Sequence, residues 1–234
     1  MKFVLIYFDK RHSIPAEAKL KELGECVSYF GGDVYANSVA SCDYVVSLGG
    51  DGTLLKAAQF AIKFDKPLIG INSGHLGFLC AFQAENLEAL TLEAIKALKV
   101  SERTLLECDG HLAVNDVCIL KKDPGKTIAT DVKGIEAWRG DGVIVSTATG
   151  STSYNESAGG EVLDPESRNI IVTAVCPHFA KTRTKTLDGD SVVVNVSPDS
   201  DACLVIDGKI VGDAIGELTV RRAEKKLKLL VPLR

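Results

Sequence analysis

Read for alternation and period alone, the 234-residue chain changes character near residue 100. Before that point apolar runs alternate with helix-like runs. Lys2–Phe8 is apolar nearly throughout, as expected of a strand covered on both faces. Ser13 and Pro15 supply start signals for a helix running to about Leu23, and a short strand, Cys26–Phe30, follows. Tyr44–Leu48 is short, β-branched and bounded by glycine, the pattern of a buried strand. Leu54–Ile62 is built of good helix formers, with no breaker until Pro67. Lys66–Asn72 reads as a further strand ending in a polar residue. Glu85–Leu98 reads as a helix with Leu87, Leu90, Ala94, Ile95 and Leu98 on one face. Strand–helix–strand order with such connections predicts a parallel, Rossmann-like α/β sheet with right-handed crossovers.

Past Lys99 strand-like segments follow one another with only turns between them: Arg103–Cys108, His111–Leu120, Ile128–Trp138, Val143–Val145, Ile170–Val175, Val192–Val196, Ala202–Ile206 and Glu217–Val220. Pro124-Gly125, Arg139-Gly140-Asp141-Gly142, Asp188-Gly189-Asp190 and Asp207-Gly208 punctuate them as turns. The expected organisation is an α/β domain over 1–99 and an all-β domain over 100–220. A tail, 221–234, carries a last apolar strand, Leu227–Leu230, that can return to the first domain. The most basic stretch, Arg221-Arg222-Ala223-Glu224-Lys225-Lys226, reads as a solvated turn between two strands.

Composition narrows the function classes. A net charge of −4 offers no basic field for nucleic acid or an anionic membrane. No apolar run reaches membrane-spanning length, and Met1–Ile6 leads into a strand without a cleavage-site pattern, so a cytoplasmic protein is expected. Seven cysteines are scattered, odd in number and without a C-x-x-C pair. That argues against a zinc knuckle and a secreted disulfide framework; small buried hydrophobes are the default.

Candidate chemistry sits first at Gly49-Gly50-Asp51-Gly52-Thr53, where the strand ending at Leu48 becomes a helix. There the unpaired amides of a first helical turn favour an anion. Glycines at 49, 50 and 52 can take positive φ and let a phosphate approach without meeting a Cβ. Asp51 stands in the middle of this turn, an expensive place for a negative charge unless it does chemistry or holds a metal. The blander reading is a tight turn with an acidic residue that the helix dipole rewards. In parallel sheets ligands bind beyond the carboxyl ends of the strands, where Asn72-Ser73-Gly74 would join the glycine turn. The second Gly-Gly-Asp, at 31–33, is followed by Val-Tyr-Ala-Asn-Ser rather than a helix and reads as a plain turn.

The second informative stretch runs from Asp141 to Gly160, where a strand enters a block of hydroxyls, glycines and one tyrosine. So dense a set of small donors and acceptors packs poorly, because each hydroxyl taken from water needs a partner. It suits a polar ligand, and Tyr154 offers a flat face for a base. A Ser/Thr-rich surface loop is the alternative.

Together Gly49-Gly50-Asp51-Gly52-Thr53, Asn72-x-Gly-x-Leu76-Gly77-Phe78-Leu79, Asn115-Asp116, the block from Asp141 to Gly160, and Cys176-Pro177-His178 resemble the NAD kinase family in order and spacing. The first motif is shared with diacylglycerol, sphingosine and phosphofructokinase relatives; the Thr-Gly-Ser-Thr-x-Tyr block is the specific part. The resemblance implies an NAD kinase/diacylglycerol kinase-like fold and ATP-dependent phosphorylation of NAD at the adenosine-ribose 2′-hydroxyl, and leaves open whether NADH is also an acceptor. It makes Asp51 the proton acceptor, and gives Gly49, Gly50, Gly52, Thr53 and Asn72 to phosphates and ATP. Asp51, Gly52, Asn115, Asp116, Arg139, Asp141, Thr152, Ser153, Tyr154, Asn155, Glu156 and Ser157 fall to the dinucleotide. It implies Mg²⁺ held mainly by the donor phosphates, a homodimer or homotetramer, and a site in the cleft between the domains. Polyphosphate is a second conceivable donor.

Two positions depart from the family pattern. The usual Asn-Glu is Asn115-Asp116 here, which shortens the carboxylate's reach by about 1.5 Å; the usual alanine is Ser153. Among distractors, Lys121–Thr127 ends like a P-loop, but Leu120 stands where glycine is required and a hairpin replaces the helix. No G-x-G-x-x-G follows the first strand. His75, His111 and His178 are too dispersed for a metal triad. Two rival readings remain: a lipid or sugar kinase of the same superfamily, against which no amphipathic docking helix is found, and a non-catalytic NAD(P) sensor, against which Asp51 counts.

Overall fold

In the computed structural model, residues 1–8, 10–31, 34–74 and 79–233 are described. The chain forms two compact units, Met1–Glu102 with Leu227–Arg234, and Arg103–Lys226.

The first unit begins β1 (Lys2–Tyr7), α1 (Ser13–Leu23), β2 (Glu25–Phe30), α2 (Ala36–Ser41), β3 (Tyr44–Leu48), α3 (Asp51–Lys63) and β4 (Leu68–Asn72). These four strands are parallel in the order β2-β1-β3-β4, so the strand order reverses between β1 and β3. Strands covered on both faces need apolar residues throughout, and Phe3 to Ile6, Val45, Val46 and Leu68 to Ile71 meet that need. On one face Phe3, Leu5, Val46, Leu48, Ile69 and Ile71 pack with Ala16 and Leu20 of α1. The buried stripe of α3, Leu54, Ala57, Ala58, Ala61 and Ile62, is narrow because alanine lets a helix lie close to a sheet. After β5 (Phe82–Gln83) the expected helix over 85–98 is replaced by a 3₁₀ segment, Ala84–Ala89, and a short α4 (Leu92–Lys96). Two local features break it: Asn86 leaves helical φ/ψ, and Thr91 starts a new helix by accepting from the Ala94 amide at 3.1 Å. A further correction concerns α2, which begins three residues after the second Gly-Gly-Asp; of that motif, Gly32 and Asp33 lie outside the described residues.

The second unit takes in β6 (Lys99–Cys108) from Arg103 onward. It continues with β7 (His111–Ala113), β8 (Asp116–Lys121), β9 (Ile128–Val132), β10 (Glu136–Gly140), β11 (Gly142–Ser146), α5 (Tyr154–Ser157), β12 (Ile170–Val175), β13 (Thr184–Leu187), β14 (Ser191–Val196), β15 (Ala202–Ile206), β16 (Lys209–Asp213) and most of β17 (Gly216–Val231). One antiparallel sheet runs β13-β12-β11-β8-β15-β16, and β10, β9, β14 and β17 pair successively in another. Alternate residues of both sheets, among them Val117, Ile119, Val143, Val145, Val172, Trp138, Val194 and Leu218, share one core. The opposite face of the six-stranded sheet buries Cys118, Ile144, Val175, Cys203 and Val205 under Ala158, just past α5.

Several local readings are corrected here. His111–Leu120 is two strands broken at Val114-Asn115, and Ile128–Trp138 is a hairpin. Residues 122–127 link strands of two different sheets rather than closing a hairpin. Arg221–Lys226 is no turn but the middle of β17. Its arginines are paired: Arg221, exposed, with Glu107 at 2.8 Å, and the largely covered Arg222 with Asp190 and the Arg168 carbonyl. Strands β13 and β16 escaped the sequence pattern because their polar residues leave little apolar alternation.

Candidate functional site

In the first unit, β3 delivers the chain to the point where strand order reverses, with Tyr7 level with Leu48. Gly50 is the N-cap of α3 and Asp51 its first residue. Of the three glycines, Gly49 has positive φ, at +151°, and Gly50 and Gly52 do not. A Cβ on Gly49 would lie 2.4 Å from Thr53 Oγ1, so this position must be glycine for the turn to close. At Gly50 and Gly52 a Cβ would meet nothing within 4 Å. Their bareness answers no packing need inside the chain and leaves the amides open to a ligand. Backbone bonds from Gly49 N to Ile71 O (3.0 Å) and from Ser73 N to Gly49 O (3.4 Å) tie the turn to the end of β4. Nearby, Lys56 on α3 places its ammonium 4.0 Å from the Phe8 ring centroid.

Asn72 does not present its amide to this turn. It is buried, donates to Gly74 O (2.9 Å) and Gln83 Oε1 (3.0 Å), and accepts from Gly74 N (3.1 Å). In this arrangement its side chain fastens the loop that follows β4. The neighbouring residues His75 to Phe78, which carry part of the resemblance, lie outside the described residues.

In the second unit the chain between β7 and β8 makes a short bridge, Val114-Asn115, held on every backbone side. Asp207 Oδ2 accepts from Val114 N (2.9 Å), and its Oδ1 accepts from Asn115 N (2.7 Å) and Asp116 N (3.2 Å). Asn115 O accepts from Thr147 N (2.9 Å) and Ser146 Oγ (3.2 Å), while Val114 O accepts from Thr147 Oγ1 (2.7 Å). Gly150 lies directly on this bridge; a Cβ there would come within 2.2 Å of Asn115 O. The side chains are a different matter. Asn115 Oδ1 and Thr149 Oγ1 are buried yet have no partner among the described residues. Such atoms cost stability unless a ligand pairs with them. Burial pushes the Asp116 carboxyl up to about 6, helped by the Asp207 charge and opposed by the Cys118 thiol that donates to Oδ1 at 3.2 Å.

The hydroxyl block divides into two populations. Ser146, Thr147, Ser151 and Asn155 face inward. Ser151 Oγ donates to Ala148 O (2.7 Å) and accepts from Leu163 N (3.1 Å). Asn155 donates to Ser151 O (3.0 Å) and Glu161 O (2.9 Å) and accepts from Thr173 Oγ1 (2.7 Å). Its polar side-chain atoms are engaged in closing the loop. Thr152 is half-buried, while Ser153, Tyr154, Glu156 and Ser157 are exposed. The ionisable groups close enough to raise the Tyr154 hydroxyl, after burial, are Cys118, Cys176, Asp141 and Asp116. The fold thus gathers Asp116, Asp141 and Tyr154, residues 25 and 38 positions apart from the first in sequence, around one loop. Asp141 is paired with Lys121 at 2.7 Å, a partner that sequence reading missed. Arg139 is exposed on β10, with Thr127 Oγ1 at 3.5 Å as its contact. His178 is exposed beside the buried Pro177. Asp207 was legible only as an Asp-Gly turn; nothing in the sequence announces that it reaches back across more than 90 residues.

A parallel α/β unit whose central strand opens through glycines into a helix, joined to a β-rich unit with a polar loop, is the architecture of the ATP-NAD kinases. Residues 11–97 match the ATP-NAD kinase N-terminal domain and residues 114–231 the ATP-NAD kinase C-terminal domain. The NAD kinase of Chlorobium luteolum is 35% identical over 206 residues, covering 81% of this chain and 72% of that protein. That of Clostridium botulinum (strain ATCC 19397, Type A) is 32% identical over 239 residues, covering 95% and 83%. Among solved structures, an NAD kinase from Archaeoglobus fulgidus in complex with ATP has a TM-score of 0.84 at 30% identity, covering 97% of this chain and 92% of that one. A yeast NADH kinase complexed with NADH has a TM-score of 0.81 at 22% identity, over 100% and 84%, and speaks to the fold alone. The chain belongs to the NAD kinase family and is an enzyme of that family. No helix among the described residues is long and apolar enough to cross a membrane.

Proposed function

We propose that this chain transfers the γ-phosphoryl group of ATP to the 2′-hydroxyl of the adenosine ribose of NAD, giving NADP and ADP. The observation that carries the reading is Asp51, a carboxylate at the first position of α3, where β1 and β3 part. The bare amides at Gly50 and Gly52 hold the donor phosphates. Asn115, Asp116, Tyr154 and the exposed hydroxyls at Ser153 and Ser157 take the dinucleotide, with Tyr154 against a ring. Asp51 accepts the hydroxyl proton as the ribose oxygen bonds to phosphorus and the bond to the β-phosphate oxygen breaks. A carboxylate is a weak base for an alcohol. In a loose, metaphosphate-like transition state the proton leaves late, so orienting the hydroxyl matters more than basicity.

Among the described residues no group of three or more His, Cys, Asp or Glu is placed to hold a metal ion. Mg²⁺ binds through one or two carboxylates plus substrate phosphates and would neutralise charge on the donor's β- and γ-oxygens. Work in the cytoplasm as a homodimer or homotetramer belongs to the same reading. Purified protein incubated with ATP, Mg²⁺ and NAD, then with an NADP-specific dehydrogenase, should yield a coupled signal; NADH and polyphosphate arms define acceptor and donor range. Absence of NADP at saturating ATP and Mg²⁺ overturns the reading, and tight NAD binding without turnover would leave a sensor in its place.

A further inference from the structure

We propose that Asp207 is a positioning residue for the dinucleotide, its one carboxylate fixing three consecutive amides so that Asn115 and Asp116 are held ready before the ligand arrives. The inference rests on the reading that Asn115 and Asp116 meet the dinucleotide.

Strand β7 ends at Ala113 and β8 begins at Asp116, so Val114 and Asn115 leave the ladder. Buried amides outside a ladder need another acceptor. Asp207 supplies it from the turn between β15 and β16, with φ at +47°, a conformation that Asp tolerates better than most residues. Its own amide returns a bond to Asp116 O at 3.1 Å. Three donors converging on two oxygens are met by a carboxylate, whereas a neutral amide offers a single acceptor oxygen. This choice is costly: burial raises the Asp207 carboxyl against the three amide bonds, and its charge adds to the cost of ionising Asp116. The return appears in the side chains: the bridge's amides are paired and the carbonyls of Val114 and Asn115 accept, yet Asn115 Oδ1 stays buried and unpartnered among the described residues. A rigid backbone that aims an unpaired acceptor is preorganisation for binding.

Asp207→Asn keeps the shape and loses an acceptor. The Michaelis constant for NAD should rise about tenfold, the worth of one charge-assisted hydrogen bond, while that for ATP stays within about twofold. A lower melting temperature with both constants unchanged overturns the inference. Should the variant fail to fold, hydrogen exchange on the unaltered protein decides. Protected amides at 114–116 without ligand support preorganisation; amides protected only after NAD is added refute it. Asn115→Ala separates the two levels. If it leaves the NAD constant unchanged, the site reading itself fails; if it raises that constant and Asp207→Asn does not, only the role of Asp207 falls.

Discussion

Replacing Asn155 with alanine tests whether the hydroxyl loop is built as a strut with exposed contacts or as a continuous ligand wall. Three bonds disappear, at 3.0, 2.9 and 2.7 Å. They do not weigh equally. Thr173 keeps a second partner, Thr184 Oγ1 at 3.0 Å, and Glu161 is exposed, so water can replace the amide at its carbonyl. Each of those losses costs about 0.5–1 kcal/mol. The Ser151 carbonyl belongs to a fully buried residue and loses its side-chain partner outright, at about 1–3 kcal/mol. Gly160 packs so tightly on the Asn155 amide that a Cβ there would lie 2.0 Å from Oδ1, so truncation also opens a gap. The total is about 2–5 kcal/mol, a fall in melting temperature of roughly 4–20 °C for a chain of this size. Thermal unfolding followed by circular dichroism reads it, with the NAD Michaelis constant measured well below the new midpoint. A melting temperature unchanged to within about 1 °C, a negligible stability change, beside a large loss of NAD affinity would refute the reasoning and return Asn155 to the ligand.

Asp51→Asn should bind NAD nearly as before by calorimetry while kcat drops by about 10²–10⁴, the usual worth of a positioned proton acceptor; near-normal turnover would remove Asp51 from that role. Gly52→Ala should raise stability by up to about 1 kcal/mol, since alanine is the better helix former and its Cβ meets nothing, yet weaken ATP. Gly49→Ala, with φ at +151° and a clash onto Thr53, should cost about 1–3 kcal/mol; equal unfolding midpoints for the two variants would contradict this account of the turn. Asp116→Asn tests a pH effect whose sign follows from a carboxyl raised from 3.8 to about 6. The folded state then holds the extra proton between those values, so the ionised group costs stability above about pH 6 and the cost is relieved as pH falls toward 4. The variant should exceed the parent's stability at pH 7.5 by at most about 3 kcal/mol, with the advantage roughly halved at pH 5 and fading toward pH 4; a pH-independent difference would sink it.

The period and identity of residues along the chain carried the parallel sheet, the glycine turn and the succession of β-strands, because each depends on neighbours a few positions away. Tyr44–Leu48 and Ile170–Val175 are apolar on both sides in sequence and buried on both faces in the fold. Where a local rule competed with another local rule, the reading slipped: the apolar stripe of Leu87 to Leu98 was outvoted by Asn86 and by the Thr91 cap. Arg221–Lys226 looked like a turn because charge runs avoid cores, yet a strand tolerates the same charges where they are exposed or, like Arg222, paired.

The hydroxyl block announced itself by composition, but composition does not say which hydroxyls face inward. Thr147, Ser151 and Asn155 hold the loop together while Ser153, Tyr154 and Ser157 are left exposed; within α5 the helical turn separates the buried Asn155 from Tyr154 and Ser157. The reach of Asp207 to Val114–Asp116 and the pairing of Lys121 with Asp141 arise only when strands distant in sequence are laid side by side. Residue order fixes what can bond over a helical turn or a strand pair; the rest is decided by which backbone groups are left without a ladder partner once the sheets have formed.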